Sequence, residues 1–496
     1  MLQRNLFLLL TLLAAAGLSA ATDKYRLVLT DDPATTITVG WNQASGQDAI
    51  LHYGTVDHGT DAVAYPFVAN ADRAVAFRGM NNRFVTLTGL QPNTSYYFVL
   101  SDEDGPSRRF WFRTAPSDDS PLSFISGGDS RNNREPRRMA NSLVAKLKPH
   151  AVLFGGDMVD EDVDQEWQEW FDDWQETITP EGRIIPIIPA RGNHERPGTI
   201  RSLFNTPEGS YYALNWGDRM IRTYTLNSEI PVGQGSDQLN WLKQDLTTQT
   251  DLHWKMAQYH KPMRPHTRRK RENDGVYNAW AKLFYDNDVR LAVDCDSHTT
   301  KVTWPVKPDN GRGSDEGFTI DHDYGTVYAG EGCWGAPLKR ANDGKSWTRN
   351  MGSFNQFNLI HVYTDRIELR VIRTDFAGEA ARNADDGDVT ALPAGLRVWA
   401  PDGDDVVIIK PRPNASPLRG TPGEAQPPYP NPTDGLIFFP STTGIREMMV
   451  YRQNGQLVRR AVASRSVDLG QEAPGIYFVK VISLTGEVAT YRIVRR

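Results

Sequence analysis

Five short apolar runs in the middle of the chain each lead into a residue that can bind a metal ion. Leu122-Ser123-Phe124-Ile125 leads into Gly127-Gly128-Asp129, and Ala151-Val152-Leu153-Phe154 leads into Gly155-Gly156-Asp157. Ile184-Ile185-Pro186-Ile187-Ile188 leads through Gly192 into Asn193-His194-Glu195. Trp254-Lys255-Met256-Ala257 leads into His260, and Val289-Arg290-Leu291-Ala292-Val293 into Asp296 and His298. Singly, each is weak evidence: an Asp after Gly is ordinarily a turn former or a helix cap, and a lone His260 is ordinarily a hydrogen-bonded core residue. Together they are carboxylates, an amide and imidazoles at the ends of successive strands, where open α/β sheets build their sites. Mixed oxygen and imidazole donors suit Mn, Fe and Zn. Two such cations about 3.5–4 Å apart clamp both ends of a phosphoryl displacement and make hydroxide from water. Asp157 is the candidate bridging carboxylate, and His194 the candidate acid for the leaving oxygen. The glycines before Asp129, Asp157 and Asn193 are read as permitting tight turns.

Such residues need an α/β scaffold. Between 120 and 410, apolar strands alternate with helical stretches, among them Arg137 to Leu147 and Gln165 to Trp174. After Gly352 the chain returns to strands over Phe357–Tyr363, Ile367–Ile372, Leu396–Trp399 and Val406–Ile409, completing a sheet of the same domain. Residues 24–116 read as an all-β sandwich built on alternation such as Thr36-Ile37-Thr38-Val39-Gly40-Trp41. Residues 411–427 are Pro-rich and poor in apolar residues, a linker. Residues 428–496 are strand-rich again. At the start, Arg4, the apolar run from Leu6 and the small residues Ser19-Ala20-Ala21 read as a signal peptide over 1–21, with a membrane anchor as the competing reading.

Composition sets the bounds. The chain has 496 residues, 39% hydrophobic, with 13 Trp, so it has material for several packed cores. A formal charge of -6 gives no reason to expect a nucleic-acid face. No apolar run after the first twenty residues is long enough to span a membrane. Cys295 and Cys333 are the only cysteines: either one disulfide or two buried small hydrophobes.

Gly128-Asp129, Gly156-Asp157, Gly192-Asn193-His194-Glu195, His260 and Asp296-Ser297-His298 resemble, in order, the five blocks of the calcineurin-like metallophosphoesterases. A preceding domain that resembles a fibronectin type III fold, with Trp41 and Leu90-Gln91-Pro92-Asn93-Thr94-Ser95-Tyr96-Tyr97, makes the layout similar to purple acid phosphatases. The resemblance implies a multidomain chain whose central domain is an αββα two-sheet sandwich. It implies two divalent ions (Mn, Fe, Zn or Mg), one held by Asp129, Asp157 and His298, the other by Asp157, Asn193, His260 and Asp296. It also implies that Asn193, His194 and His266, with Arg131, meet the substrate, a phosphorylated small molecule. The tail, with Tyr429-Pro430-Asn431-Pro432, Val450-Tyr451, Asn454-Gly455 and Ala473-Pro474-Gly475-Ile476-Tyr477-Phe478-Val479, resembles the type IX secretion sorting domain. That implies the type IX machinery as partner and a secreted or cell-surface location.

The chain departs from the family pattern at three places. Asp296 stands where the family usually has His. Asp160 stands where purple acid phosphatases carry the tyrosinate that colours their ferric ion. Arg131 stands where many relatives have a ligand His, and either grips a phosphate oxygen or forms a salt bridge. Tyr259, beside His260, is expected to face away from the ions because successive strand residues point oppositely. The basic stretch Arg264, His266, Arg268, Arg269, Lys270 and Arg271 either attracts phosphate or is a solvated loop. Two functions follow: a secreted phosphoesterase working by metal-activated hydroxide, or a catalytically impaired cell-surface binding protein on the same scaffold.

Overall fold

The structure, a computed structural model, describes residues 21–384, 387–412, 428, 431–439, 445–453, 456–462, 464, 466–483 and 488–496. The chain divides into two compact units, residues 1–413 and 414–496. The leader expected over 1–21 and the linker over 411–427 lie outside the described residues apart from Ala21, Pro411 and Arg412, as do Tyr429, Pro430, Asn454 and Gly455.

Alternation along the central strands gives each sheet two apolar faces. Phe124, Leu153 and Ile188 from one sheet share a core with Met256, Leu291 and Val293 from the other, and Phe124 meets Trp216 edge-on at 4.7 Å. Their neighbours Ile125, Val152, Phe154 and Ile187 face the opposite way, into a second core with helices Arg134–Leu147 and Asp164–Trp174. Ala257 and Ala292 face a third core with helix Asp237–Thr248 and the helical stretch around Trp280. The result is helices, sheet, sheet, helices. Helix Arg134–Leu147 buries Arg137, Ala140, Asn141, Val144 and Leu147, the i, i+3, i+4, i+7 spacing of one helical face. Helix Asp164–Trp174 buries Trp167, Trp170, Phe171 and Trp174 in the same way, with Trp170 and Trp174 stacked at 5.0 Å.

One sheet has ten strands, in the order Val407–Ile409, Ile367–Arg373, Gln356–Val362, Leu122–Gly127, Ala151–Phe154, Ile187–Pro189, Thr22–Val28, Ile37–Gln43, Met80–Leu87 and Arg73–Phe77. The other has seven: Tyr212–Trp216, Ile221–Thr225, Trp254–Gln258, Val289–Asp294, Val327–Gly330, Thr300–Thr303 and Thr348–Gly352. In both, the strands that lead into the candidate ligands are adjacent and parallel, so their carboxyl ends lie side by side.

The ten-stranded sheet also changes the status of the N-terminal region. Its strands do form two facing sheets around the buried Trp41, with Leu51, Phe98 and Phe110 in the same core. One of those sheets, however, runs on into the central one: Thr22–Val28 pairs with Ile187–Pro189 in parallel at Val28 and Ile187. The other is stitched at Trp111, whose backbone bonds Gly182 and Ile184 at 2.9 Å each. Leu396–Trp399, expected as a strand, makes only a bridge at Val398 to Ile372; Pro393 and Pro401 bracket it and interrupt a ladder.

The second unit is a four-stranded antiparallel sheet, Leu457–Val462, Ile445–Arg452, Gly475–Ser483 and Val488–Arg495, beside a short pair, Leu436–Phe438 with Ser466–Asp468. It has its own core of Ile437, Met448, Val450, Val467, Tyr477, Val479 and Ile493. Among the described residues, no helix is long and apolar enough to cross a membrane.

These connections predict opposite results for two truncations. A chain ended at residue 413 should keep the thermal midpoint of the first unit, because that unit's cores lie upstream. Removing 22–116 strips a paired strand from the edge of Ile187–Pro189 and should leave no cooperative transition by calorimetry.

Candidate metal centre

The strand ends bring Asp129, Asp157, His260, Asp296 and His298 together. Among the described residues, Asp129–Asp157–His298 and Asp157–His260–Asp296 are two groupings of buried ligand-type side chains whose ligand atoms lie within 4.8 Å of one another, and they share Asp157. A third, Asp129–His260–Cys295, overlaps both.

The backbone is specialised at these positions. Asp129, Asp157, Asp296 and His298 all take left-handed φ, at 57°, 53°, 72° and 53°. Non-glycine residues rarely do so, and such strain collects at functional sites. Of the preceding glycines, Gly156 takes the left-handed turn expected of it, at φ 94°, whereas after Gly128 the turn is carried by Asp129 itself. At Gly128 the need for glycine is space: a Cβ there would lie 2.7 Å from Cys295 Sγ and 3.1 Å from the Gly156 carbonyl.

Cross-loop hydrogen bonds hold the arrangement. Asp296 N–H donates to Asp129 Oδ2 at 2.7 Å, tying the two sheets together at the site. His194 N–H donates to Asp157 Oδ1 at 2.9 Å. Glu195, quoted in the sequence block without a role, is the hub of its loop: its carboxylate accepts from the backbone of Asp157 (3.1 Å), Met158 (2.7 Å) and Gly192 (2.7 Å). Burial, then the Asp157 charge, push it up to about 7.

The donor atoms fit cations. His260 Nδ1–H donates to the Gly155 carbonyl at 2.8 Å and His298 Nδ1–H to the Pro337 carbonyl at 2.9 Å. Each bond sets the tautomer that leaves a lone pair on Nε2. Both Nε2 atoms, and Asp129 Oδ1, are buried without a hydrogen-bond partner. His260 Nε2 lies 3.2 Å from Asp157 Oδ1 and His298 Nε2 lies 3.3 Å from Asp129 Oδ1. Burial alone would lower the His260 pKa, but the facing Asp157 carboxylate holds it well above the ordinary value: the site demands positive charge. Buried carboxylates elsewhere are satisfied differently. Asp162 accepts from Arg78, Trp167 and Thr199, and Asp173 from Arg134 and Arg137. Among the described residues, Asp129 has no such guanidinium bonded to it.

The remaining expected residues are placed unevenly. His194 is partly exposed; its Nδ1–H donates to the Asp160 carbonyl at 2.5 Å and its Nε2 lies 3.7 Å from Asp157 Oδ2. Arg131 makes the salt bridge of its two readings: Nη1 bonds the Asp160 carboxylate and Nη2 lies 3.4 Å from Asp157 Oδ2. Asn193 sits in the same loop but is exposed. His266, expected as a substrate contact, is already engaged by other side chains. It is fully buried, its Nδ1 3.1 Å from Glu331 Oε1 and its Nε2 2.8 Å from Thr348 Oγ1, so both ring nitrogens are already used. Lys270, from the same basic stretch, does reach the site and bonds Asp296 Oδ1; only its place in a run of cations marked it. Tyr259 faces the third core, with Trp280 at 5.2 Å. Cys295 and Cys333 are both free and buried, and burial pushes the Cys295 thiol up to about 12.

Three family models match. Residues 22–114 match the purple acid phosphatase N-terminal domain, 130–298 the calcineurin-like phosphoesterases, and 428–495 the secretion system C-terminal sorting domain. The chain is 24% identical over 291 residues to purple acid phosphatase 15 of Arabidopsis thaliana, covering 48% of this chain and 53% of that protein. It is 23% identical over 268 residues to an uncharacterized protein of Mycobacterium tuberculosis, covering 45% and 50%. It thus spans about half the length of the curated relatives it matches. Among solved structures, purple acid phosphatase PPD1 from yellow lupin (Lupinus luteus) seeds aligns with a TM-score of 0.60 at 16% identity, covering 80% of this chain and 75% of that one. PhoD aligns at 0.55 and 11%, covering 81% and 95%. At these identities the likeness is one of fold.

Gly332 tests the packing behind the centre. It takes φ 79°, and a Cβ there would collide with the Asp129 carboxylate. Gly332→Ala should therefore lower the metal retained after dialysis, measured by elemental analysis, although residue 332 is not itself a ligand.

Proposed function

We propose that this chain is an exported dinuclear-metal phosphoesterase that hydrolyses phosphate esters of small molecules. The observation that carries this reading is the pair of ligand groupings sharing Asp157, with His194 Nε2 beside that same carboxylate. Asp129, Asp157 and His298 would hold one ion; Asp157, His260 and Asp296, with Asn193 as the neutral oxygen donor, would hold the other. When bound, such ions supply Lewis acidity that makes a nucleophile of water at neutral pH and offsets phosphoryl charge.

The chain's own residues handle the proton and the orientation. The Asp160 backbone carbonyl accepts a hydrogen bond from His194 Nδ1–H and fixes the ring, so a proton for the leaving oxygen would be carried on Nε2. Arg131 ties down Asp160 through its side chain, which makes it a positioning residue in this scheme. The name of the Arabidopsis relative supports phosphate esters as substrates. Two buried imidazole Nε2 atoms kept without hydrogen-bond partners support a centre that holds metal, and turnover of a phosphomonoester separates the enzyme from the non-catalytic binding reading. The sorting domain over 428–495 supports export, for which we propose the type IX machinery as partner and the cell surface or exterior as destination.

Two mutants separate the roles. Asp157→Asn should abolish turnover of a generic phosphomonoester and lower metal content together. His194→Ala should cut turnover by about 10²–10⁴-fold with both ions retained; equal metal loss in both variants would make His194 a ligand and break this division.

Colour tests the metal assignment. With Asp160 at the tyrosinate position and Tyr259 packed against Trp280, neither of these positions offers a phenolate to a ferric ion. The extra carboxylate at Asp296 makes the donor set harder, which favours Mn or Mg over Zn. The purified protein should be colourless and most active with Mn, and a visible phenolate-to-iron band would contradict this.

A further inference from the structure

The two ligand groupings are not equivalent. Among the described residues, none bonds Asp129 through an ammonium or guanidinium, whereas Asp296 Oδ1 is bonded by the Lys270 ammonium. That oxygen is also the one that faces His260 Nε2, at 3.6 Å. An ion in the Asp157–His260–Asp296 grouping and the Lys270 ammonium therefore seek the same carboxylate oxygen.

Lys270 is not there by the chance swing of a free side chain. Its segment is pinned at His266, whose backbone N–H and ring both bond the buried Glu331 and whose Nε2 bonds Thr348. The Asn342 and Asp343 amides close onto the His266 carbonyl, and Lys270 N–H donates to the Thr267 carbonyl at 3.1 Å. A second ammonium, Lys339, lies 3.5 Å from the Asp296 backbone carbonyl. Electrostatically the arrangement is balanced: a carboxylate where a neutral imidazole is the family pattern adds one negative charge, and Lys270 adds one positive charge directly to it.

We propose that Lys270 is a built-in competitor for the second metal ion, so that the Asp129–Asp157–His298 position fills tightly and the Asp157–His260–Asp296 position fills reversibly. The inference rests on the two-metal reading above. Its consequence is an enzyme whose fully loaded state tracks the free divalent-ion concentration around it, because loading the second position requires Lys270 to give up Asp296. The ammonium contributes by an ordinary charge-assisted contact, so its removal should matter by about tenfold or more.

The test is a Mn²⁺ titration of the full-length, chelator-stripped protein, reading free Mn²⁺ by electron paramagnetic resonance. Wild type should show one tight and one weaker equivalent. Lys270→Met, which keeps the length and removes the charge, should tighten the second step about tenfold and leave the first unchanged. Lys270→Arg keeps the charge and should leave the second step weak, and Arg269→Met, at an exposed position of the same segment, should match wild type. Thermal unfolding confirms that each variant is folded. Two equal steps in wild type, or no tightening in folded Lys270→Met, would overturn the role of Lys270 while leaving two ions. Fewer than two equivalents in both proteins would overturn the two-metal reading and this inference with it.

Discussion

The structure turns on the burial of three carboxylates, Asp129, Asp157 and Asp296, at one place. Two unit charges about 4 Å apart in a medium of effective dielectric about 20 repel by about 4 kcal/mol, and desolvation adds to that cost. A fold stable by only about 5–15 kcal/mol in total cannot leave such a cluster uncompensated. The compensation the chain itself supplies is partial: the Asp296 and His194 amides, the Arg131 and Lys270 cations, and two imidazoles. The unpartnered Asp129 Oδ1 and the two Nε2 atoms mark what is left for divalent ions to satisfy.

Holding that cluster explains the architecture around it. Asp129 and Asp157 leave one sheet, and His260, Asp296 and His298 leave the other. The site therefore exists only while the shared core of Phe124, Leu153, Met256 and Leu291 keeps the sheets registered. Rigid elements hold first contacts more closely than loops alone, and the loops here are further locked by Glu195 and by the Asp296-to-Asp129 bond. The N-terminal strands extend the same sheet past Ile187–Pro189. They protect an edge that would otherwise present unpaired backbone groups.

The departures from the family pattern form charge-matched pairs rather than isolated losses. Asp160 is met by Arg131, and Asp296 by Lys270. Each adds a negative charge near the centre and a positive charge bonded to it. Such pairing offsets the cost that an unpaired charge would carry close to the buried centre.

The sequence alone determined most of the element types, the order of the strands that lead into Asp129, Asp157, His260, Asp296 and His298, and the residue types gathered at their ends. Apolar alternation with period two, and helical spacing such as Trp167, Trp170, Phe171 and Trp174, are local signals. A strand end followed by Asp or His is local too. Pairing partners across distant segments are not. What His266 and Lys270 bond depended on partners far along the chain: Glu331 and Thr348, 65 and 82 residues from His266, claim its imidazole, and Asp296 takes the Lys270 ammonium. Whether Arg131 would grip a phosphate or a carboxylate depended on Asp160, 29 residues on. The need for the glycines was legible, and at Gly156 so was the turn, but at Gly128 the reason is the Cys295 sulfur, brought from the other sheet. Tertiary structure decided these points because a side chain's role is set by the groups that compete for its polar atoms, and only the folded chain brings the competitors together.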